Sequence, residues 1–395
     1  MINIIKCNNK NYKNKLKFFL DKRRSGKIID TSIVSKIIND IKKNKVKALI
    51  KYEKKFSKNK KIIPSQKEIN ESIKLLDPKV KKAIDFAYSR ILKFHSLQKK
   101  KNLKFVDEYK NKIEYKYVPI QKIGVYVPSN LPSSLLMNVI PAKIAGVKKI
   151  VVANPISKGK LNSAVMYAAK KCGVQEIITC GGAQAIGSLA YIHQVNKIIG
   201  PGNEYVAKAK QLVFGDVGIE GMIAGPSEIC IVADNKTELN EITTSILGQS
   251  EHGENSQSIL VTKYRDLIIK VQKDLNINIK KLSRKKTIVK SLKNHGLMLL
   301  CKNDKQIIEV VNEIAPEHLE LNISNHKKYT KKIFNAGSIC IGKYSAMAVT
   351  DYNAGSNHTL PTLGSAKFSS GLNLSEFYKK ISYITLSKKG VEKIG

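Results

Sequence analysis

The chain has 395 residues, 42% of them hydrophobic, which is enough to bury a substantial core divided over two or three domains. Its formal charge of +39 invites a nucleic-acid reading, but that charge is almost all lysine. Only Arg23, Arg24, Arg90, Arg265 and Arg284 offer the planar fork that base and phosphate recognition favours, there is no tryptophan, and no aromatic residues interleave with a basic patch.

Lysine, asparagine and isoleucine are raised together, as biased nucleotide composition would produce, and the charge reads as solvated surface. No run is apolar and long enough to span a bilayer. The opening residues MINIIKCNNKNYKNK lack the apolar stretch of a secretory signal. Cys7, Cys172, Cys180, Cys230, Cys301 and Cys340 form no CxxC pair, which argues against metal–thiolate chemistry and for reduced thiols in the cytoplasm.

Residues 1–110 are basic, with apolar positions three and four apart in VSKIINDIKKNKVKALIKYEKKF and PKVKKAIDFAYSRILKFHSL, so the spacing predicts helices. From about residue 112, short β-branched runs alternate with helical stretches. KIEYKYVPIQKIGVYVP predicts strands, SSLLMNVIPAKIAGV a helix and KKIVVANP a strand. NSAVMYAAKKCG, EIITCGG, AQAIGSLAYI, NKIIGPG and NEYVAKAKQLVFG continue the alternation. A second series runs from EICIVAD through TELNEITTSILGQSEHG, SQSILVTK, a helix from Arg265, GLMLLCKN, DKQIIEVVNEIA, HLELNIS and GSICIGK. The last fifty residues read as loop and helix without strands. The fold class expected is α/β: two incomplete Rossmann-like units with parallel sheets, plus helical arms at both termini.

Several segments carry groups able to do chemistry. Gln249 and His252 sit three apart at a predicted helix end and can face one object, although a lone QxxH is more often a capped helix end than a metal site. Asp351, in the polar loop TDYNAGSNHTLPT, would complete a nitrogen and oxygen set suited to zinc or a similar divalent ion, or else make only local turn hydrogen bonds. Glu317 and His318, between a helix and a strand, offer two bases of different ordinary pKa. AGPSE, which holds Ser227, lies between the two α/β series, where small ligands usually bind. GGAQA and GPGN each follow a strand and open a helix, a place for an anionic phosphate, yet no GxGxxG is present.

Read in order, GGAQAIGSLA, GPGNEYVAKAK, GIEGMIAGPSEI, QSEHG, IAPEHLEL and DYNAGSNHTLPTLGSAKFSSGL resemble histidinol dehydrogenase, with VPSSLLMNVIPAKIAGV a looser match. The resemblance runs collinearly from about residue 112 to residue 380. It implies oxidation of L-histidinol through L-histidinal to L-histidine, with two NAD reduced and zinc orienting the substrate. By motif, Gln249, His252 and Asp351 would be zinc ligands that also meet the substrate, and Ser227 and His318 would touch it. His318 would take the alcohol proton and Glu317 would activate the water that attacks the aldehyde. Tyr126, Gln184 and Asn203 would contact NAD.

The implied organisation is an N-terminal helical arm (1–22), a first α/β domain from 23–122 with 228–345, a second from 123–227, and a C-terminal arm (346–395). Such arms would wrap a partner into an intertwined homodimer. Three departures from the family pattern stand out. Ser129-Asn130-Leu131 replaces two glycines and shortens the loop after Pro128, and Thr350-Asp351-Tyr352 replaces a Gly-Asp-Tyr. Lys389 stands where the family has a substrate-binding glutamate, and no histidine follows Gly390 to serve as a fourth ligand. Other readings are a decayed or moonlighting relative, for these departures, and a nucleic-acid-binding protein, for the charge alone.

Overall fold

The computed structural model describes residues 2–24, 31–59, 61–157, 159–221 and 225–395. The chain divides into two compact units: residues 1–34, 201–208 and 221–371 form the first, and 35–200, 209–220 and 372–395 the second. Among the described residues no helix is long and apolar enough to cross a membrane.

The first unit is built on a six-stranded sheet in the order Asn3–Lys6, Gly296–Leu300, Gln257–Thr262, Glu228–Ala233, His318–Asn322, Ser338–Ile341. Every pairing is parallel. A parallel sheet covered on both faces needs near-continuous apolar strands, and EICIVA and QSILVT are buried at every position. Side chains alternate between faces. Cys230 and Val232 join Leu16, Leu20, Ile307 and Val311 in one core layer. Ile229 and Ile231 join Ile242, Ile246, Leu267 and Leu292 in the other.

The second unit holds a five-stranded parallel sheet in the order Glu176–Ile178, Lys149–Ala153, Lys122–Tyr126, Lys197–Ile199, Gly218–Ile219. A separate antiparallel sheet joins Tyr378–Thr385, Lys112–Pro119 and Leu103–Val106.

Three expectations need correction. The N-terminal arm is not wholly helical, because Asn3–Lys6 is an edge strand in register with Leu297–Leu300. Four residues that are mostly exposed leave no alternation to read. The C-terminal segment contains the eight-residue strand Tyr378–Thr385, which a distant partner strand supports rather than burial. The helical stretch from residue 35 to residue 96 packs in the second unit, not with 228–345. There Asn59 Nδ2 donates to the Thr179 carbonyl at 2.6 Å, and Ile38 and Ile41 lie against Gly187. Helical periodicity shows that a face is buried, but not which sheet it covers.

His295 ends the helix Lys285–His295, where the terminal carbonyls favour a positive ring. Burial, with Arg23 and Lys22 adding to it, instead pulls its pKa down to about 4. Between that value and the ordinary ~6.5 the unfolded chain binds the proton more readily. This contribution to stability is therefore complete above the ordinary value and is lost as the pH falls through the window. Urea midpoints at about pH 7.5 and pH 5 should converge less in the wild type than in His295→Gln, with the variant losing less on acidification.

Candidate functional site

All the side chains expected to meet substrate or metal belong to the first unit. The helix Asp304–Ile314 stops at Ala315, whose left-handed conformation (φ 50°, ψ 60°) is strained for a residue with a Cβ. Pro316 then bars any further helix. This turn delivers Glu317 and His318 to the head of the strand His318–Asn322. Gly337 closes the turn from the other side: a Cβ there would lie 2.6 Å from the Glu317 carbonyl. Instead the Gly337 N–H donates to the Pro316 carbonyl and the Ser338 N–H to that of Glu317, both at 2.9 Å.

His318 is buried and held at both ring nitrogens. Nε2 lies 2.9 Å from Asp351 Oδ1, and Nδ1 lies 3.1 Å from the Glu228 carbonyl and 3.6 Å from Glu317 Oε2. Burial alone would lower its pKa, but the Glu317 and Asp351 carboxylates outweigh that and hold the imidazole well above its ordinary value. Glu317 is buried too. Its Oε2 accepts the Glu228 N–H at 2.7 Å, and desolvation raises its pKa against the pull of His318. Asp351 sits in a wide helical turn, Thr350–Ala354. Its carbonyl lies 3.0 Å from Nδ1 of half-buried His358.

Gln249 and His252 are placed differently from the expectation of one shared helix face. The helix Leu239–Ser250 is capped by Glu251, so Gln249 is in its last turn and His252 lies beyond it. Gln249 is fully buried, and among the described residues neither Oε1 nor Nε2 has a hydrogen-bond partner. His252 is exposed, with Nδ1 fixed 2.8 Å from the Gly248 carbonyl. No hydrogen bond joins either side chain to Asp351. Among the described residues no three His, Cys, Asp or Glu side chains gather as a metal cage. The expected ligand set contains only two of those types, so it stands or falls with Gln249. Each unsatisfied end of a buried amide costs about 1–3 kcal/mol, and a cation at Oε1 would remove the oxygen's share. An imidazole anchored through Nδ1 likewise presents its other nitrogen, as metal-binding histidines do. These residues fit a zinc ion.

The side chains expected at the cofactor are not all free to take one. Tyr126 ends its strand with its hydroxyl 3.4 Å from the Gly182 N–H. Gln184 is buried and donates from Nε2 to Glu53 Oε1 at 2.8 Å, and the same oxygen accepts the Gly181 N–H at 3.0 Å. A protein carboxylate thus occupies the helix start that GGAQA suggested for a phosphate, and that part of the reading does not fit. Asn203 Oδ1 accepts the Val206 N–H at 3.1 Å.

Sequence reasoning missed Arg23 and Glu228 as site residues. Glu228 was quoted within AGPSE without a role, and Arg23 was counted only as charge. It also missed Glu320 in APEHLEL, whose Oε1 accepts the Met347 N–H at 2.8 Å and pins the short helix that leads to Asp351. The one available signal was an acidic side chain inside an otherwise apolar strand.

The family description "Histidinol dehydrogenase" matches residues 22–395. A histidinol dehydrogenase of Pelagibacter ubique (strain HTCC1062) is 54% identical, covering 100% of this chain and 94% of the relative. The crystal structure of histidinol dehydrogenase from Elizabethkingia anophelis superposes with a TM-score of 0.93 at 35% identity, over 100% of this chain and 92% of that one. A gamma-glutamyl phosphate reductase from Thermotoga maritima, at 15% identity and a TM-score of 0.51 over 95% and 97% of the two chains, shares the fold alone.

Proposed function

The chain belongs to the histidinol dehydrogenase family and is an oxidoreductase of histidine biosynthesis, and within that activity we propose a zinc- and NAD-dependent site with roles for named residues. L-histidinol would be oxidised to L-histidinal and then to L-histidine. Zinc, when bound, would supply a Lewis-acid anchor for the substrate's nitrogens, held by Gln249, His252 and Asp351. NAD would supply the hydride acceptor, with Tyr126, Asn203 and the amide oxygen of Gln184, whose Nε2 stays with Glu53, as its contacts. Ser227 would line the substrate pocket.

His318 is the proposed acceptor of the alcohol proton, for which Nε2 must first give up its own proton and exchange Asp351 for the substrate hydroxyl. Its Nδ1 contact with the Glu228 carbonyl keeps the ring oriented through that exchange. Glu317 is the proposed base for the water that attacks the aldehyde; burial keeps its carboxylate basic. We further propose an intertwined homodimer in the cytoplasm, where the six free, buried cysteines would stay reduced. A monomeric mass at micromolar concentration would count against the dimer. The lysine excess is read as solvated surface, and nothing in the relatives favours nucleic-acid binding.

The orphaned amide of Gln249 is the observation that carries the metal reading, and it yields a two-sided test. Gln249→Leu should remove bound zinc and activity. In metal-free protein the same change should raise stability by about 1–3 kcal/mol, because it deletes buried polar groups that have no partner. Zinc content and thermal unfolding with and without chelator check both signs. A variant that keeps its zinc, or that is destabilised when metal-free, would contradict the assignment.

A further inference from the structure

Behind Glu317 and His318 lies a buried ion pair that the proposed chemistry does not use. Arg23, near the end of the helix Tyr12–Arg24, and Glu228, at the head of the central strand, are each only 4% exposed at the side chain. The guanidinium NH1 donates to Glu228 Oε1. Its NH2 donates to the Pro226 carbonyl at 2.6 Å and the Ser227 carbonyl at 3.3 Å, and Nε donates to the Asn255 carbonyl at 3.1 Å. Glu228 Oε1 also accepts the Leu363 N–H at 2.8 Å, and Oε2 lies 3.4 Å from the Glu317 N–H. The Glu228 N–H returns to Glu317 Oε2 at 2.7 Å.

One pair therefore ties together the AGPSE turn, the APEH turn, the LPTL loop and the residues after QSEH. A buried guanidinium whose nitrogens all donate to fixed acceptors is rigid. It also pairs the Glu228 carboxylate, which would otherwise stand beside Glu317 with no cation of its own. Bare fastening of the fold would not require the second carboxylate to be the reactive one.

We propose that Arg23 and Glu228 are a positioning pair that holds Glu317 in the orientation needed for the aldehyde step. The proposal rests on the reading of Glu317 as the base for that step. It predicts effects transmitted through Glu317 rather than through substrate affinity.

The test uses the full-length, zinc-loaded enzyme with histidinal in steady state and with histidinol in a single turnover that reads the first NADH. Glu228→Gln should lower kcat on histidinal about 10- to 100-fold, the usual range for a group behind a reactive one. KM should stay within about twofold, and the first NADH from histidinol should be spared. Arg23→Lys, which keeps the charge without the fork, should retain more kcat than Arg23→Met. Adding Glu228→Gln to Glu317→Gln should cost nothing beyond Glu317→Gln alone. Should Glu228→Gln fail to fold, the Lys-against-Met comparison at Arg23 decides by the same split. Multiplicative losses in the double variant, equal losses on both substrates, or an unchanged kcat in Glu228→Gln would overturn the positioning role while leaving Glu317 as base. If Glu317→Gln itself spares histidinal oxidation, the base reading has failed and the positioning role falls with it.

Discussion

His318→Asn is expected to slow the first oxidation, that of histidinol, by about two to four orders of magnitude, the usual contribution of a positioned proton acceptor. An asparagine amide can still reach the Glu228 carbonyl that Nδ1 meets at 3.1 Å, so the strand head should keep its place. What disappears is Nε2, now 2.9 Å from Asp351, the atom proposed to receive the alcohol proton. Histidinal supplied directly bypasses that transfer and should be oxidised at a rate within about tenfold of wild type. Zinc content should be unchanged. Equal losses on the two substrates would remove His318 from the first step's chemistry.

Glu317→Gln should show the opposite pattern. The amide oxygen can still accept the Glu228 N–H at 2.7 Å, so geometry is preserved and only the charge is lost. Oxidation of histidinal should fall by about two to four orders of magnitude, whereas the first NADH from histidinol should form nearly normally. The pH profile carries a sign as well. Burial raises the Glu317 pKa, so the ionised base accumulates only above the ordinary carboxylate range. The rate on histidinal should climb with pH along that displaced limb, and the residual rate of Glu317→Gln should not. A wild-type limb at the ordinary glutamate value would show that Glu317 is not the titrating base.

The proposed reactive residues could be picked out as candidates because they sit where the chain changes element. The run DKQIIEVVNEIA has helical spacing, Ala315-Pro316 ends it, and HLELN resumes with strand character, so Glu317 and His318 stood out at a junction. The strands of the first unit were legible as apolar runs that match a sheet covered on both faces, whereas their order in the sheet was not. The edge strand Asn3–Lys6 was not legible, because its pairing with Gly296–Leu300 joins residues nearly three hundred positions apart and buries little. Tyr378–Thr385 was missed for the same reason.

The Arg23–Glu228 pair was hidden by composition: one buried cation among so many exposed lysines carries no mark in the sequence. Nor could spacing reveal that Glu53 would fill the helix start at Gly181, since 128 positions separate donor and acceptor. Helix periodicity reported which positions are buried, and long-range polar pairing decided what they meet.

The most direct measurement is the NADH yield from a limiting amount of L-histidinol, with histidine followed in parallel, in zinc-loaded and chelator-treated protein. The account predicts two NADH and one histidine per histidinol consumed, loss of both on chelation, and their return with added zinc. A protein that forms no NADH from histidinol at any zinc level, or that yields a single NADH with histidinal as the end product, would contradict it.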